Sequence, residues 1–214
     1  WNNYGRVFAE YMFIKDFRTN TLNSKIEIEG QEILEEIKKK NKPVIFISGH
    51  LSNFELMAMH IEKSGIKLSA IYRPLNNIFL NKIMERIRKK YICKNQIKKG
   101  IGGLKRLISL KKNNYSTALM IDQRVSEGIK VNFFNNAALT TTIPAQFVKK
   151  FQALIVPVYI QRLNNNNFKI KIFDPLNFSK NETLESITLK LNHSLEEMIK
   201  NKPEQWIWSH NRWK

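Results

Sequence analysis

The chain has 214 residues and a mass of 25.2 kDa, which fits one ordinary domain with a full hydrophobic core. A hydrophobic fraction of 43% excludes a disordered basic tail, and the single cysteine excludes a disulfide framework. Lys and Arg number 36 against 18 Asp and Glu, so the formal charge is +18. This charge favours anionic partners: nucleic acid, an acidic membrane leaflet or an acidic protein.

Part of this charge has explanations that involve no partner. Clusters of lysine end several predicted helices, where cations are favourable in any protein because they face the carbonyl end of the helix dipole. Lys, Asn and Ile have A/T-rich codons and are abundant here, so genome composition explains part of the surplus. We therefore expect no nucleic-acid partner, while a non-enzymatic nucleic-acid or anionic-membrane binder remains an alternative interpretation.

Short apolar runs alternate with segments of helical periodicity along the chain, a pattern typical of an α/β fold. The runs at 44–48, 117–121 and 154–160 are almost continuously apolar, which predicts strands buried on both faces of a parallel sheet. Two further strands are expected at 68–72 and 168–173. The expected helices are 31–40, 53–63, 79–90, 103–111, 145–151 and 183–200.

The last expected strand differs from the others, because apolar residues alternate with lysine in 168–173. This alternation indicates an edge or antiparallel strand, and the polar tract 164–167 supplies a hairpin-like turn before it. No internal repeat or linker divides the chain. The sequence thus predicts a single domain over residues 1–214, built on a mostly parallel sheet flanked by helices.

The start of the chain is unusual. It begins at Trp1 rather than Met, and it carries no signal peptide. No window approaches the roughly 18–20 apolar residues of a membrane-spanning helix. We therefore expect that an upstream segment is missing from this sequence.

The strongest candidate catalytic residues lie in segment 48–55 (SGHLSNFE), where a predicted buried strand is followed by a predicted helix. Ligands of open α/β sheets bind in the crevice at the carboxyl ends of the strands, and Gly49 allows a sharp turn there. His50 stands at this edge with Glu55 five residues later. A carboxylate facing His50 would fix the tautomer of the imidazole and leave the other ring nitrogen as a general base.

Glu55 also has a purely structural interpretation. Ser52 and Glu55 match the spacing of a helix capping box, which would explain the carboxylate without catalysis. The setting nevertheless favours a catalytic pair, because no serine elbow, Gly-rich phosphate loop or metal-ligand spacing competes with it elsewhere in the sequence.

Five short blocks follow one another in a characteristic order. They are 5–11 (GRVFAEY), 49–55 (GHLSNFE), 72–77 (YRPLNN), 131–140 (VNFFNNAALT) and 203–214 (PEQWIWSHNRWK). Together they resemble the bacterial lipid A biosynthesis acyltransferases, the late lauroyl/myristoyl transferases related to glycerolipid acyltransferases. Two departures are visible: Ser52 stands where the family has Gly, and 135–137 (NNA) stands where it tends to have Gly and Pro.

The resemblance implies a glycerolipid acyltransferase-like fold and transfer of a fatty acyl group from an acyl carrier protein thioester to a hydroxyl of a lipid A precursor. In this interpretation His50 is the general base, Glu55 orients it, and no acyl-enzyme, metal or cofactor is needed. It also implies a membrane anchor upstream, and a location at the cytoplasmic face of the bacterial inner membrane. A glycerolipid or lysophospholipid acyltransferase is the nearest alternative.

Four further residues are expected to bind substrate: Asn53, Arg73, Arg88 and Asp122. Arg73 follows a strand, and a guanidinium suits the phosphates of a lipid A precursor, although it also suits helix capping or pairing with a carboxylate. Arg86 and Arg88 lie on different faces of a helix, and family placement favours Arg88 for the site. Asp122 ends a buried strand, where it would hold Arg88 or Arg73, contact substrate or simply form a turn.

The remaining histidines and the C-terminal tryptophans carry weaker signals. His60 lies within the helix after His50, and His193 is expected to be solvated. The aromatic and basic residues between Trp206 and Lys214 either lie at a membrane interface or pin the terminus to the core. We expect packing against the core.

Overall fold

The computed structural model describes residues 2–19, 21–22 and 25–213. These residues form two sheets and the helices around them. The strands are β1 (Ile26–Glu29), β2 (Ile45–Ser48), β3 (Leu68–Tyr72), β4 (Asn95–Lys98), β5 (Ser116–Met120), β6 (Ile129–Phe133), β7 (Asn136–Thr140), β8 (Ile155–Arg162) and β9 (Phe168–Ile172). The α-helices are α1 (Asn2–Glu10), α2 (Ile14–Arg18), α3 (Gln31–Lys40), α4 (Glu55–Lys63), α5 (Ile78–Ile87), α6 (Ile101–Lys112), α7 (Ile143–Phe151) and α8 (Leu184–Asn201).

The main sheet has seven strands in the order β1-β9-β8-β2-β5-β3-β4. All neighbours in it are parallel except β8 and β9, which are antiparallel. The expectation of one α/β domain with a mostly parallel sheet is therefore confirmed. β6 and β7 form a separate antiparallel hairpin whose turn residues, Phe134 and Asn135, both have positive φ (49° and 60°), as tight hairpin turns require.

The centre of the sheet is apolar because its strands are covered by helices on both faces. Every residue of β2 is buried, and seven of the eight residues of β8 are buried. Each large aliphatic side chain removed from water in this way contributes about 1.5–3 kcal/mol to folding. This explains why continuous apolar runs, rather than alternating ones, marked these strands in the sequence.

The five expected strands and six expected helices all form, with ends that differ by a few residues. β9 is antiparallel, as its lysine alternation suggested, but β1 covers its outer side and it is not an edge strand. The helix expected at 79–90 ends as α5 at Ile87 and continues as a π-helical turn, Arg88–Ile92. The elements that sequence patterns did not predict are α1, α2, β1, β4, β6 and β7.

No α-helix among the described residues is both long enough and apolar enough to cross a lipid bilayer.

Candidate active site

His50 and Asp122 meet at the carboxyl-end edge of the sheet. β2 and β5 are parallel neighbours with Ser48 opposite Met120, so the residues two positions beyond each strand end come side by side. Nδ1 of His50 lies 2.7 Å from Oδ1 of Asp122. The Asp122 side chain is 3% exposed while that of His50 is 20% exposed, so a buried carboxylate supports an imidazole that solvent can reach.

Gly49 allows this close approach because it has no side chain. A Cβ atom at this position would lie 2.8 Å from Cδ1 of Leu195 and 3.3 Å from Cβ of Asp122. The backbone also turns tightly here, as expected, since the amide of Leu51 donates to the carbonyl of Gly49 at 2.8 Å. A side chain at position 49 would therefore force the tip of Leu195 to move and would crowd the Asp122 side chain.

The C-terminal segment holds the same loop from outside the sheet. Trp206 Nε1 donates to Oδ2 of Asp122 at 2.9 Å, and the backbone amide of His50 donates to the same oxygen at 2.8 Å. The amide of Ile207 donates to the His50 carbonyl at 3.0 Å, and the amide of Ser52 donates to the Gln205 carbonyl at 2.8 Å. The position of His50 therefore depends on residues more than 150 positions away.

Two opposing effects act on the pKa of the His50 imidazole. Burial lowers it, whereas the charge and hydrogen bond of Asp122, with a smaller contribution from the Glu55 carboxylate, raise it above its ordinary value. Burial raises the pKa of Asp122, but attraction to His50 and the donated hydrogen bonds hold it below its ordinary value. An Nδ1–H donated to Asp122 leaves Nε2 as the proton-accepting atom of His50.

Glu55 is the first residue of α4 and is 6% exposed. Its Oε1 atom accepts hydrogen bonds from Arg88 Nε at 2.8 Å and from Arg88 Nη2 at 2.6 Å, and the Tyr11 hydroxyl donates to the same oxygen. Burial and the adjacent carboxylate raise the pKa of Tyr11 well above its usual range. A tyrosine, an arginine and a glutamate from three separate elements thus form one partly buried cluster beside His50.

The sequence predicted that Glu55 would contact His50, and the structure has a different pairing. The carboxylate on the His50 ring is that of Asp122, and among the described residues the Glu55 hydrogen bonds go to Arg88 and Tyr11. Asp122 accordingly pairs with neither Arg88 nor Arg73. The physical reason is the strand register: β2 and β5 place Asp122 directly beside His50, whereas the Glu55 carboxylate, at the start of α4, is held by Arg88.

Ser52 does not cap α4, so the capping-box interpretation of Glu55 is wrong. The residue at the N-cap position is Phe54, and its side chain makes no capping hydrogen bond. Ser52 is fully buried, its φ is +47°, and its hydroxyl finds no partner among the described residues. A left-handed backbone at this position explains why glycine suits it better.

Asn53 is fully buried, and it faces the N-terminal helix rather than open space. Its Nδ2 donates to Oε2 of Glu10 at 2.9 Å. Glu10 in turn pairs with Arg162, whose Nη2 lies 2.7 Å and 2.9 Å from its two carboxylate oxygens. This network joins α1, β8 and the His50 loop, and the Oδ1 atom of Asn53 is left without a partner among the described groups.

Arg73 follows β3 and is exposed, and it takes no part in the hydrogen bonds of the His50–Asp122 pair or of the Glu55–Arg88 pair. Arg86 is also exposed, and Arg88 is the member of the pair that reaches the site, as the family placement indicated.

The other titratable residues singled out in the sequence lie elsewhere. Nε2 of His60 is 2.9 Å from Oε1 of Gln31, and burial lowers the pKa of His60 to about 4. His193 and His210 are exposed. Cys93 is buried, which raises the pKa of its thiol to about 12 and makes it a poor nucleophile.

The C-terminal aromatic and basic residues pack against the core in part, as expected. Trp206 is 3% exposed, and Arg212 is fully buried with its Nη2 2.6 Å from Oγ1 of Thr140. Trp208 and Trp213 keep 57% and 37% of their surface exposed. Lys214 lies outside the described residues.

Sequence reasoning missed three residues that build this site: Tyr11, Glu10 and Trp206. It also assigned no partner to His50 across the sheet. One signal was available, because His50 and Asp122 each follow a buried strand, and the carboxyl ends of neighbouring parallel strands meet at one edge. Across residues 2–19, 21–22 and 25–213, no group of three or more His, Cys, Asp or Glu side chains is arranged to hold a metal ion.

The family model of the bacterial lipid A biosynthesis acyltransferases matches residues 1–214, and the chain belongs to this family. It is 24% identical over 184 residues to "Lipid A biosynthesis acyltransferase 2" of Shigella flexneri, which covers 84% of this chain and 58% of that protein. It is 23% identical over 192 residues to "Lipid A biosynthesis myristoyltransferase" of Escherichia coli (strain K12), covering 87% and 58%. The chain thus spans less than two thirds of the length of these curated relatives.

Proposed function

We propose that this protein transfers a fatty acyl group from an acyl carrier protein thioester to a hydroxyl of a lipid A precursor, with His50 as the general base. The observation that carries the proposal is the His50–Asp122 pair, in which a buried carboxylate lies 2.7 Å from Nδ1 of an imidazole that is 20% exposed. Membership of the lipid A acyltransferase family supports the acceptor class.

The reaction follows from this arrangement without a covalent enzyme intermediate. Nε2 of His50 takes the proton of the acceptor hydroxyl as its oxygen attacks the carbonyl carbon of the thioester. The carbon–sulfur bond then breaks, the acyl group is now an ester of the acceptor, and the departing thiolate receives the proton from His50. Asp122 stabilises the imidazolium that forms between these steps, which is the role of the buried carboxylate in such pairs.

Glu55 acts through space in this proposal. Its negative charge raises the pKa of His50 although the two groups share no hydrogen bond among the described atoms. Arg88 and Tyr11 hold the Glu55 carboxylate in place by hydrogen bonds, so the Tyr11–Glu55–Arg88 cluster forms one side of the site.

The proposed substrate contacts involve the basic residues around this edge. Arg73 is exposed, and its guanidinium suits a phosphate of the acceptor. Asn53 and Arg88 hold neighbouring carboxylates of the site in place through hydrogen bonds. The charge of +18 suits both an acidic carrier protein and the anionic leaflet at the cytoplasmic face of the inner membrane, where we propose that the protein works.

The test is an acyl-transfer assay with defined substrates, read by mass spectrometry. Carrier-protein and coenzyme A thioesters of several chain lengths are each offered with a lipid A precursor or a lysophospholipid. We expect transfer to the lipid A precursor from the carrier-protein donor, and loss of about 10²-fold or more in kcat with His50→Ala. Acylation of the lysophospholipid alone, or full activity of His50→Ala, would overturn the proposal.

A further inference from the structure

Two neighbouring parts of the molecule expose large apolar side chains. Met12 and Phe13, in a short 3₁₀ turn after α1, are 82% and 53% exposed. In α5, Phe79 and Ile83 are 78% and 54% exposed, and this helix buries none of its ten residues. We call the exposed residues Phe8, Met12, Phe13, Ile78, Phe79 and Ile83 the apolar face.

Both parts of the apolar face lie at the edge of the sheet that carries His50. Tyr11, next to Met12, donates to Glu55, and Arg88, directly after α5, pairs with the same carboxylate. Tyr72, the last residue of β3, hydrogen-bonds Glu85 of α5. The elements that carry the apolar face therefore contain or adjoin Tyr11 and Arg88, the residues that hold Glu55 in the candidate site.

The charge around the apolar face is strongly positive. Between Ile78 and Ile92 the sequence has five cations and one acid, Glu85, which accepts hydrogen bonds from Tyr72 and Asn81 and lies 3.8 Å from Nζ of Lys89. Four of these cations are exposed: Lys82, Arg86, Lys89 and Lys90.

Exposed apolar side chains next to exposed cations favour one of three possible partners for the apolar face. A second copy of the chain would place one cationic helix against another, which like-charge repulsion disfavours. An acidic protein would match the charge, but it would have to bury Met12, Phe13 and Phe79, which come from two separate elements, in pockets of matching shape. An anionic bilayer interface satisfies both features, because apolar side chains enter the acyl region while lysine and arginine meet the lipid phosphates.

We infer that the apolar face, with the cations of α5, docks the protein on an anionic lipid surface and brings the His50 edge to the membrane plane. This inference rests on the proposed function in one respect, since a lipid acceptor is presented at such a surface. It specifies which residues make the contact, and it places the open side of His50 where the acceptor hydroxyl is found.

The experiment measures sedimentation of the 214-residue chain with vesicles of 30% phosphatidylglycerol in phosphatidylethanolamine, and with vesicles of phosphatidylcholine. The test variant is Phe79→Ser/Ile83→Ser, and the matched control is Leu154→Ser, because Leu154 is 41% exposed at the opposite end of the sheet, before β8. Circular dichroism establishes that all three chains fold. Size-exclusion chromatography with light scattering gives their oligomeric state.

We expect binding to the anionic vesicles, a loss of about 10-fold or more in the double variant, and unchanged binding in Leu154→Ser. No binding by the parent chain, or equal loss in variant and control, would overturn the inference. A dimer that becomes a monomer in the double variant would also overturn it, because a second copy would then be the occupant. Vesicle binding needs no substrate, so failure of the acyl-transfer assay and failure of this docking are separate results.

Discussion

At the scale of single residues, the position of His50 is set by three groups: the Asp122 carboxylate on its ring and amide, the amide of Ile207 on its carbonyl, and the space left by Gly49. The two roles of Asp122 are linked. The same carboxylate orients the ring and stabilises its charged form, so one substitution tests both.

Asp122→Asn keeps the size of the side chain but removes its charge. Because the Asp122 charge raises the pKa of His50, and because a general base must be neutral, activity of the parent enzyme should fall as the pH drops through that raised pKa. In the variant this acidic limb should move to lower pH, while the plateau of kcat falls by about 10²–10⁴-fold. The pH profile of kcat/KM measures the shift of the limb, and the pH profile of kcat measures the fall of the plateau.

Asp174→Asn is the matched control for this prediction, since Asp174 is an exposed carboxylate outside the site. Its pH profile should overlay that of the parent. An unmoved acidic limb in Asp122→Asn would show that Asp122 does not set the pKa of the catalytic base.

Ser52 carries two unfavourable features, a left-handed backbone and a buried hydroxyl without a described partner. Ser52→Gly removes both, and we expect a gain of about 1 kcal/mol in the free energy of unfolding, after the larger entropy of glycine in the unfolded chain is subtracted. Urea denaturation measures this gain. Ser52→Ala removes only the hydroxyl, so its stability should fall between the two; an alanine variant as stable as glycine would mean that the backbone conformation costs nothing.

At the scale of elements, one buried ion pair joins the N-terminal helix to the sheet. The side chains of Glu10 in α1 and Arg162 in β8 are 15% and 5% exposed, and the pair also contacts Asn53 and Asn3. Removing one partner leaves a buried charge uncompensated, which costs far more than the pair itself contributes.

Glu10→Gln should therefore destabilise the protein by about 3 kcal/mol, whereas Glu10→Gln/Arg162→Met should recover part of the loss because no unpaired guanidinium remains. Chemical denaturation of the parent, both single variants and the double variant closes this cycle. Additive losses in the double variant would show that the two side chains are not coupled.

The elements that the sequence revealed are those with a strong, continuous apolar signal. β2, β5 and β8 lie in the inner part of the sheet, and most of their residues are both buried and apolar. β1 (IEIE) and β4 (NQIK) lie at the two edges of the sheet, where burial is partial and the sequence can be polar. Such short edge strands are defined by their neighbours more than by their own composition.

The candidate site also has one part that could be predicted from the sequence and one part that could not. The loop with His50 was recognisable from its local sequence, because a glycine and a histidine follow a buried strand. The partner of His50 was not, because Asp122 is 72 positions away and is brought near by strand register, whereas Glu55 is close in sequence but faces Arg88. Long-range contacts of this kind need the strand order, which no local pattern contains.

At the scale of the whole molecule, the cations behind the charge of +18 include two groups with different effects. The lysines that end α3, α6 and α7 lie in last turns, where they complement helix dipoles. Four exposed cations of α5 and the π-helical turn after it lie beside exposed apolar side chains at the site edge: Lys82, Arg86, Lys89 and Lys90. The first group stabilises the fold, and the second group is the one that our docking inference assigns to a partner.

The strand order also governs how the chain is made. β1 ends at Glu29, yet among the described strands its one sheet neighbour is β9, which begins at Phe168, and residues 205–207 hold the His50 loop by hydrogen bonds. Translation at about 5–20 residues per second separates β1 from β9 by roughly 7–28 seconds. During that interval the nascent chain has unpaired strand edges, which favour aggregation. A chain that ends before Trp206 also lacks the hydrogen bonds from Trp206 and Ile207 that hold Asp122 and His50.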